Sequence, residues 1–298
     1  MTTPQHLRSG DQIALVATAR FIDPEQLLKT TRVLESWGLK LSIGENLTKV
    51  SNQFAGTDEE RASDLQKAIN NPEIRAIICY RGGYGSIRLL DLVDFSGLIA
   101  NPKWFCGYSD ITVFHSLLNT MRIKSIHSTM PVNFETNTKE SNDSMKLALF
   151  GNAMQIAAEP NDLNRYGTVA GELIGGNLSI LHNLTGTDIE LDTKNKILVI
   201  EDLDEYLYHI DRMLHNLKRS GKLQQLAGLI VGGMTGMNDN DIPFGKGANE
   251  IIAEIISEYH FPACYNFPIG HIADNRSVIL GEQYSLDVSK QGSTLKII

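Results

Sequence analysis

The stretch FCGYSDITVFHSL, residues 105–117, sets Ser109 between an apolar run and a segment of helical periodicity. A serine at that place does one of two kinds of work. Its hydroxyl can accept a backbone N–H of the first helical turn, the commonest role for serine there. Alternatively it is a nucleophile, which needs a base, a group to orient that base, and N–H donors for an oxyanion. The motif G-x-S-x-G is incomplete, since Ile111 fills its last position. A helix start nonetheless offers N–H groups and the positive end of a dipole, which suit a developing oxyanion. Candidate bases are His115, His127, His182, His209, His215, His260 and His271. His115, His209 and His215 fall within predicted helices, where packing or surface roles prevail, whereas His271 stands in the polar loop NFPIGHIADNRS. For the orienting acid, Glu201 ends an apolar run in KILVIEDLDE; the plainer reading of such a strand-end charge is solvation.

Other patterns offer less. RGGYGS follows a strand pattern, and Gly82, Gly83 and Gly85 could cradle a phosphate, form a tight turn, or lend bare N–H groups to an oxyanion hole. A dinucleotide fingerprint starting at Gly83 fails at Arg88, and no G-K-[ST] occurs. Neither H-E-x-x-H nor C-x-x-C is present. The acidic loop DNDIPFGKGANE lacks the EF-hand glycine, having Phe244 there and Pro243 before it. The one S-x-x-K, Ser293 to Lys296, lies in a terminal strand pattern, away from any helix start. The expectation is an activity with no cofactor and no metal.

The elements that must carry these residues alternate through the first half. QIALVAT, LKLSIGEN, IRAIICY, KWFCGY and KSIHSTM read as strands. Between them PEQLLKTTRVLESWG, TDEERASDLQKAINNP (capped by Thr57), IRLLDLVDF and SDITVFHSLLNTM read as helices. Such alternation predicts a parallel sheet covered on both faces, with Ser109 at its carboxyl edge, where α/β folds place their sites. Near residue 150 the pattern changes. Residues 151–166 read as a linker, and 167–298 as a second domain of short strands and glycine turns, with helices near 205–220 and 246–259. Residues 1–150 form the first domain. Glu201 and His271 would then face Ser109 across an interdomain cleft.

Composition bounds the function. With 42% hydrophobic and 21% charged residues, the 298-residue chain is typical of a soluble globular protein. A net charge of −8 leaves no basic stripe for nucleic acid. No apolar run is long enough to span a membrane, and the N-terminus lacks the order of regions of a secretory signal. Cys79, Cys106 and Cys264 are odd in number and widely spaced, which predicts reduced thiols and a cytoplasmic location. The sequence leaves oligomeric state open, a homodimer included.

Five ordered blocks carry a family resemblance: RGGYGSIRLLDLVDF, CGYSDITVFH, GELIGGNLSIL, VIEDLDEYLYHIDRML and FPIGHIADNRSVILG. In these the chain resembles the LD-carboxypeptidases, serine peptidases that include muramoyl-tetrapeptide carboxypeptidases and microcin C immunity-type enzymes. The resemblance implies an N-terminal flavodoxin-like parallel-sheet domain joined to a C-terminal β-rich swivelling α/β domain. It implies a triad of Ser109, Glu201 and His271, and an oxyanion hole from the amides of Gly83 and Asp110. It also implies a cytosolic murein tetrapeptide substrate that loses its terminal D-alanine. Peptidyl- or aminoacyl-sulfamoyl-adenylate hydrolysis and a non-catalytic nucleotide-binding module are the alternatives. Arg81 and Tyr84, on the glycine loop, are candidate substrate contacts, Arg81 for a terminal carboxylate. One departure stands out: the first strand usually leads into a Pro-Ser-rich turn, and here it reads ATARF.

Overall fold

The computed structural model describes residues 1–152 and 155–298. In its first half β1 (Gln12–Val16), β2 (Lys40–Ile43), β3 (Ile74–Cys79), β4 (Trp104–Gly107) and β5 (Ser125–His127) pair in parallel. Their order across the sheet is 2-1-3-4-5, that of flavodoxin-like folds. The connections include α1 (Pro24–Ser36), α2 (Asp58–Asn70), α3 (Gly97–Ala100) and α4 (Thr112–Thr120), and α5 (Lys139–Phe150) follows β5. The strands read as unbroken apolar runs because both faces are covered. Leu15, Ala76, Ile78 and Cys106 are buried in one core, and Val16, Ile77, Cys79 and Phe105 in another. Thr57 caps α2 in a reciprocal capping box with Glu60.

The second half builds a mixed sheet. β6 (Gln155–Ala158), β7 (Gly167–Asn177), β8 (Ile197–Leu203), β9 (Gly228–Thr235) and β10 (Ala263–Cys264) share it with the antiparallel hairpin β12 (Gln283–Ser289) and β13 (Gly292–Ile297). β7 to β10 run parallel, with α6 (Leu178–Asn183), α7 (Leu207–Arg219) and α8 (Ala248–Ile255) between them. Residues from α6, α7 and α8 share one core with Leu198, Ile200, Leu229 and Val231. The protein is thus an α/β molecule with a flavodoxin-like first sheet and a strand-rich second one.

Three details depart from the sequence reading. The segment Ile87–Phe95 is not an α-helix: a 3-10 turn at Ser86–Leu89 runs into further turns, held by bonds such as Leu92 N–H to the Leu89 carbonyl. Its N-cap residue, Gly85, has no side chain to cap it, and the Ser86 amide is accepted by the Asp110 carboxylate. The segment 151–166 contains β6, which pairs with β13; Ala153 and Met154 of that segment lie outside the described residues. Finally, β11 (Val278–Leu280) crosses back from the second half to pair antiparallel with β5. The first sheet is therefore completed by a strand from the far end of the chain.

Candidate active site

Ser109 stands two residues beyond β4, at the start of a 3-10 turn that leads into α4. Its backbone is left-handed, with φ of 64°. A side-chain-bearing residue held there costs of order 1–3 kcal/mol, and such strain gathers at functional sites. Its side chain caps nothing: Tyr108 holds the N-cap position, without a side-chain bond. The turn is a strained strand-to-helix elbow achieved without the final glycine of the usual motif. Gly107 makes this workable, since a Cβ there would lie 2.8 Å from the Ile111 side chain.

The Ser109 hydroxyl instead lies 3.0 Å from His271 Nε2. His271 Nδ1 lies 2.6 Å from Glu201 Oε2. An ionised carboxylate only accepts, so Nδ1 carries the proton of that bond and Nε2 is free to accept from Ser109. Glu201 is fully buried inside β8, not solvated at its end, and its Oε1 has no partner among the described residues. Burial pushes the His271 pKa down, but the charge and hydrogen bond of Glu201, with a smaller contribution from Asp202, outweigh it and the net shift is upward. The next residue, Asp202, is also buried; burial and then the charge of Glu201 push its carboxyl up to about 7 although Asn177 and the Leu203 amide donate to it.

The loop carrying His271 is held close to the acid. Gly270 has φ of 103°, and a Cβ there would sit 2.6 Å from Glu201 Cβ. The Gly270 amide donates to Asn275 Oδ1 at 2.8 Å, and Thr235 Oγ1 donates to the His271 carbonyl at 2.8 Å. The Tyr108 ring faces the imidazole with centroids 4.8 Å apart.

On the opposite side the glycine loop abuts Ser109. A Cβ on Gly82 would lie 3.4 Å from Ser109 Oγ and 3.5 Å from the Asp110 amide. The Asp110 carboxylate accepts the Ser86 amide at 2.9 Å, which ties the loop to the elbow. Arg61, fully buried on α2, donates to the carbonyls of Thr18 and Gly85. Arg81 is half-buried, and its Nη1 donates to the Phe21 carbonyl at 3.1 Å. Tyr84 is exposed, with its ring tilted against Phe54 at 6.2 Å. The geometry thus brings Ser109, Glu201, His271, Gly82 and the Asp110 amide together. Gly83, the glycine expected at the oxyanion, is the next residue and lies against the Arg20 side chain, while Arg81 precedes Gly82 and Tyr84 is exposed.

The other histidines serve elsewhere. His115 bridges Ser125 and the Gly107 carbonyl beneath the elbow, and burial lowers its pKa to about 4. His127 is fully buried, with neither ring nitrogen partnered among the described residues, and its pKa falls to about 3 through burial and the neighbouring His115 and His271. His182 lies on α6, and His260 lies before β10. His209 and His215 pair with Glu205 and Asp211. Sequence reasoning missed the supports Asp110 (as a carboxylate), Arg61, Asn275 and Thr235. A buried arginine within an otherwise ordinary polar helix face leaves no mark in a sequence. The one available signal was Asp110 itself, a charge placed directly after the serine. Among the described residues, no cluster of three or more His, Cys, Asp or Glu is arranged to hold a metal ion.

Comparisons with known proteins agree with this architecture. Residues 13–128 match the family model of the LD-carboxypeptidase N-terminal domain, and residues 170–286 that of the LD-carboxypeptidase C-terminal domain. A Bacillus subtilis (strain 168) protein named "Probable murein peptide carboxypeptidase" is 31% identical over 98% of this chain and 94% of its own. The "Murein tetrapeptide carboxypeptidase" of Pseudomonas aeruginosa is 30% identical over 93% of each chain. Among solved structures, muramoyltetrapeptide carboxypeptidase from Oxalobacter formigenes superposes with a TM-score of 0.86 at 28% identity, covering 96% of this chain and 98% of the other. The microcin C7 self-immunity protein MccF, solved with aspartyl sulfamoyl adenosine, shares the fold at a TM-score of 0.86 and 21% identity, over 99% of this chain and 98% of the other. The chain belongs to the LD-carboxypeptidase family.

Proposed function

We propose that this protein is a serine carboxypeptidase that cleaves an L,D-peptide bond and releases the terminal D-alanine of murein tetrapeptides in the cytosol, as a step of cell-wall recycling. The observation that carries the reading is the hydrogen-bonded chain from Ser109 through His271 to Glu201, at 3.0 and 2.6 Å. On this reading Ser109 is the nucleophile, His271 the base and Glu201 the group that fixes the imidazole tautomer. The names of the Bacillus, Pseudomonas and Oxalobacter relatives support the substrate class. Residues 1–150 would supply the nucleophile and 167–298 the acid and base, with 151–166 joining them.

In this mechanism Ser109 Oγ attacks the carbonyl before the D-residue while its proton passes to His271 Nε2. The oxyanion is met by the Asp110 amide and the glycine loop, through Gly83. His271 then protonates the leaving amine, the C–N bond breaks, and D-alanine departs. Water, deprotonated by the same nitrogen, attacks the acyl-enzyme and frees the shortened peptide and Ser109. A charge on Glu201 stabilises the imidazolium in both halves of the cycle.

The test is an assay of purified protein on an L-Ala-D-Glu-diaminopimelyl-D-Ala tetrapeptide and on an aminoacyl-sulfamoyl-adenylate, together with fluorophosphonate labelling. Release of D-alanine and labelling of Ser109 are expected. Turnover of the sulfamoyl-adenylate alone would transfer the chemistry to the immunity-type substrate. No labelling and no turnover would leave a binding module.

A further inference from the structure

The first sheet has its topological switch point between β1 and β3, where the strand order reverses, and in open α/β sheets ligands bind in the crevice outside that point. Each of the two loops leaving it carries an arginine. Arg20 belongs to the ATARF turn after β1, and Arg81 follows β3 after one residue. Arg20 is exposed, and its stem crosses the glycine loop: a Cβ on Gly83 would lie 2.7 Å from Arg20 Cδ and 2.8 Å from its Nε. Gly83 is the neighbour of Gly82, the residue against Ser109, and consecutive Cα atoms are about 3.8 Å apart. Arg81 is anchored from the same side, through the Phe21 carbonyl next to Arg20.

The charges of this pair are not neutralised. Two other arginines nearby, Arg61 and Arg88, both bridge to Asp58. No ion pair among the described residues includes Arg20 or Arg81. The two cations also feel each other: burial lowers the Arg81 pKa first, and the charge of Arg20 lowers it further. Like charges placed together at a ligand crevice repel unless an anion lies between them, and guanidinium groups match a carboxylate in a planar, two-pronged geometry.

We propose that Arg20 and Arg81 together form one carboxylate subsite, which takes the free C-terminal carboxylate of the substrate and so makes the site an exopeptidase. This rests on the peptidase reading above and adds to it the group that reads the substrate's end. It also gives a use to the turn where this chain departs from its family: a side chain with a fixed charge stands where a Pro-Ser-rich turn is usual.

Binding and turnover test it separately. The Ser109→Ala protein, which cannot turn over, is titrated calorimetrically with the tetrapeptide and with its C-terminal amide. The free acid should bind about 10- to 100-fold more tightly, as expected for a charge-assisted contact. Adding Arg20→Gln, a change at an exposed side chain, should remove most of that preference by weakening the acid and leaving the amide unchanged. Arg81→Lys, which keeps the charge and loses the fork, should weaken the acid about tenfold. In the Ser109 background of the natural chain, Arg20→Gln should raise KM for the acid with kcat little altered. Equal binding of acid and amide, or equal weakening of both by Arg20→Gln, overturns the subsite. Preference for the acid without any turnover by the natural chain would instead overturn the peptidase reading and keep the subsite.

Discussion

The two sides of the site are built from different materials. On the first sheet the reactive geometry is made of backbone: a serine at φ of 64°, the Asp110 amide, and a glycine loop so close that a Cβ on Gly82 would lie 3.4 Å from the hydroxyl. On the second sheet it is made of side chains: a carboxylate buried inside a strand, an imidazole bonded to it, and the Asn275 and Thr235 side chains that hold the imidazole's loop. The difference follows from what each side must do. An oxyanion needs fixed N–H dipoles that do not reorganise as charge develops, and backbone supplies them. A base needs a tuned proton affinity, which comes from burial and a neighbouring charge. The Ser86 amide, donating to the Asp110 carboxylate, ties the glycine loop to the elbow, and Arg61 donates to the carbonyls of Thr18 and Gly85.

Removing the serine or the histidine outright should cost about the same, because the groups of a serine triad act as a unit. Ser109→Ala and His271→Ala should each cut kcat by roughly 10⁴- to 10⁶-fold, and Glu201→Gln by about 10⁴-fold or less. Steady-state kinetics on the tetrapeptide decide this. Near-normal turnover in Ser109→Ala would remove the nucleophile assignment and with it the comparison. A smaller effect is expected from displacing without deleting. Gly270→Ala would put a methyl group 2.6 Å from Glu201 Cβ at a φ of 103°. A shift of that loop by an ångström should lower kcat about 100-fold while Ser109 still reacts with a small fluorophosphonate. If kcat is unchanged, the side-chain half tolerates movement and the contrast drawn above is wrong.

The same division decides what the sequence discloses. The strands of the first sheet stand out because both their faces are buried, which leaves runs such as IRAIICY with no polar alternation. Ser109, Glu201 and His271 could be nominated, since each stands at the junction of an apolar run and a polar segment. Their juxtaposition needed the family's ordered blocks, because residues 70 and 162 positions apart carry no local sign of contact. The left-handed backbone of Ser109 is invisible because Ile111 breaks the usual glycine pattern. The supports at Asp110 and Arg61 are pairings over 24 and 43 residues, to groups on other elements. β11 is three residues long and completes the sheet of the other half, below what periodicity detects. The segment Ile87–Phe95 has helical spacing, yet only a 3-10 turn over Ser86–Leu89 and further turns form there.

The gentlest probe of the side-chain half is its proton affinity. Burial lowers the His271 pKa, yet the charge and hydrogen bond of Glu201 and the charge of Asp202 carry it above the ordinary value. Only the neutral imidazole accepts the serine proton, so kcat/KM should rise with pH through a limb lying above about 6.5, the unperturbed value. The same upward shift means that the pair stabilises the fold fully below that unfolded value, and that the contribution is lost as pH climbs through the folded pKa. Glu201→Gln keeps an acceptor for Nδ1–H but removes the charge, leaving burial to dominate, so the His271 pKa should fall below the ordinary value. Asp202→Asn should move it in the same direction by less, since Asp202 is the smallest of the three upward contributions. Following the His271 ring protons by NMR in the Ser109→Ala protein reads these shifts without turnover. A His271 pKa that stays put in Glu201→Gln would mean that Glu201 positions the ring without tuning it. The second sheet would then do for the base only what backbone does for the nucleophile.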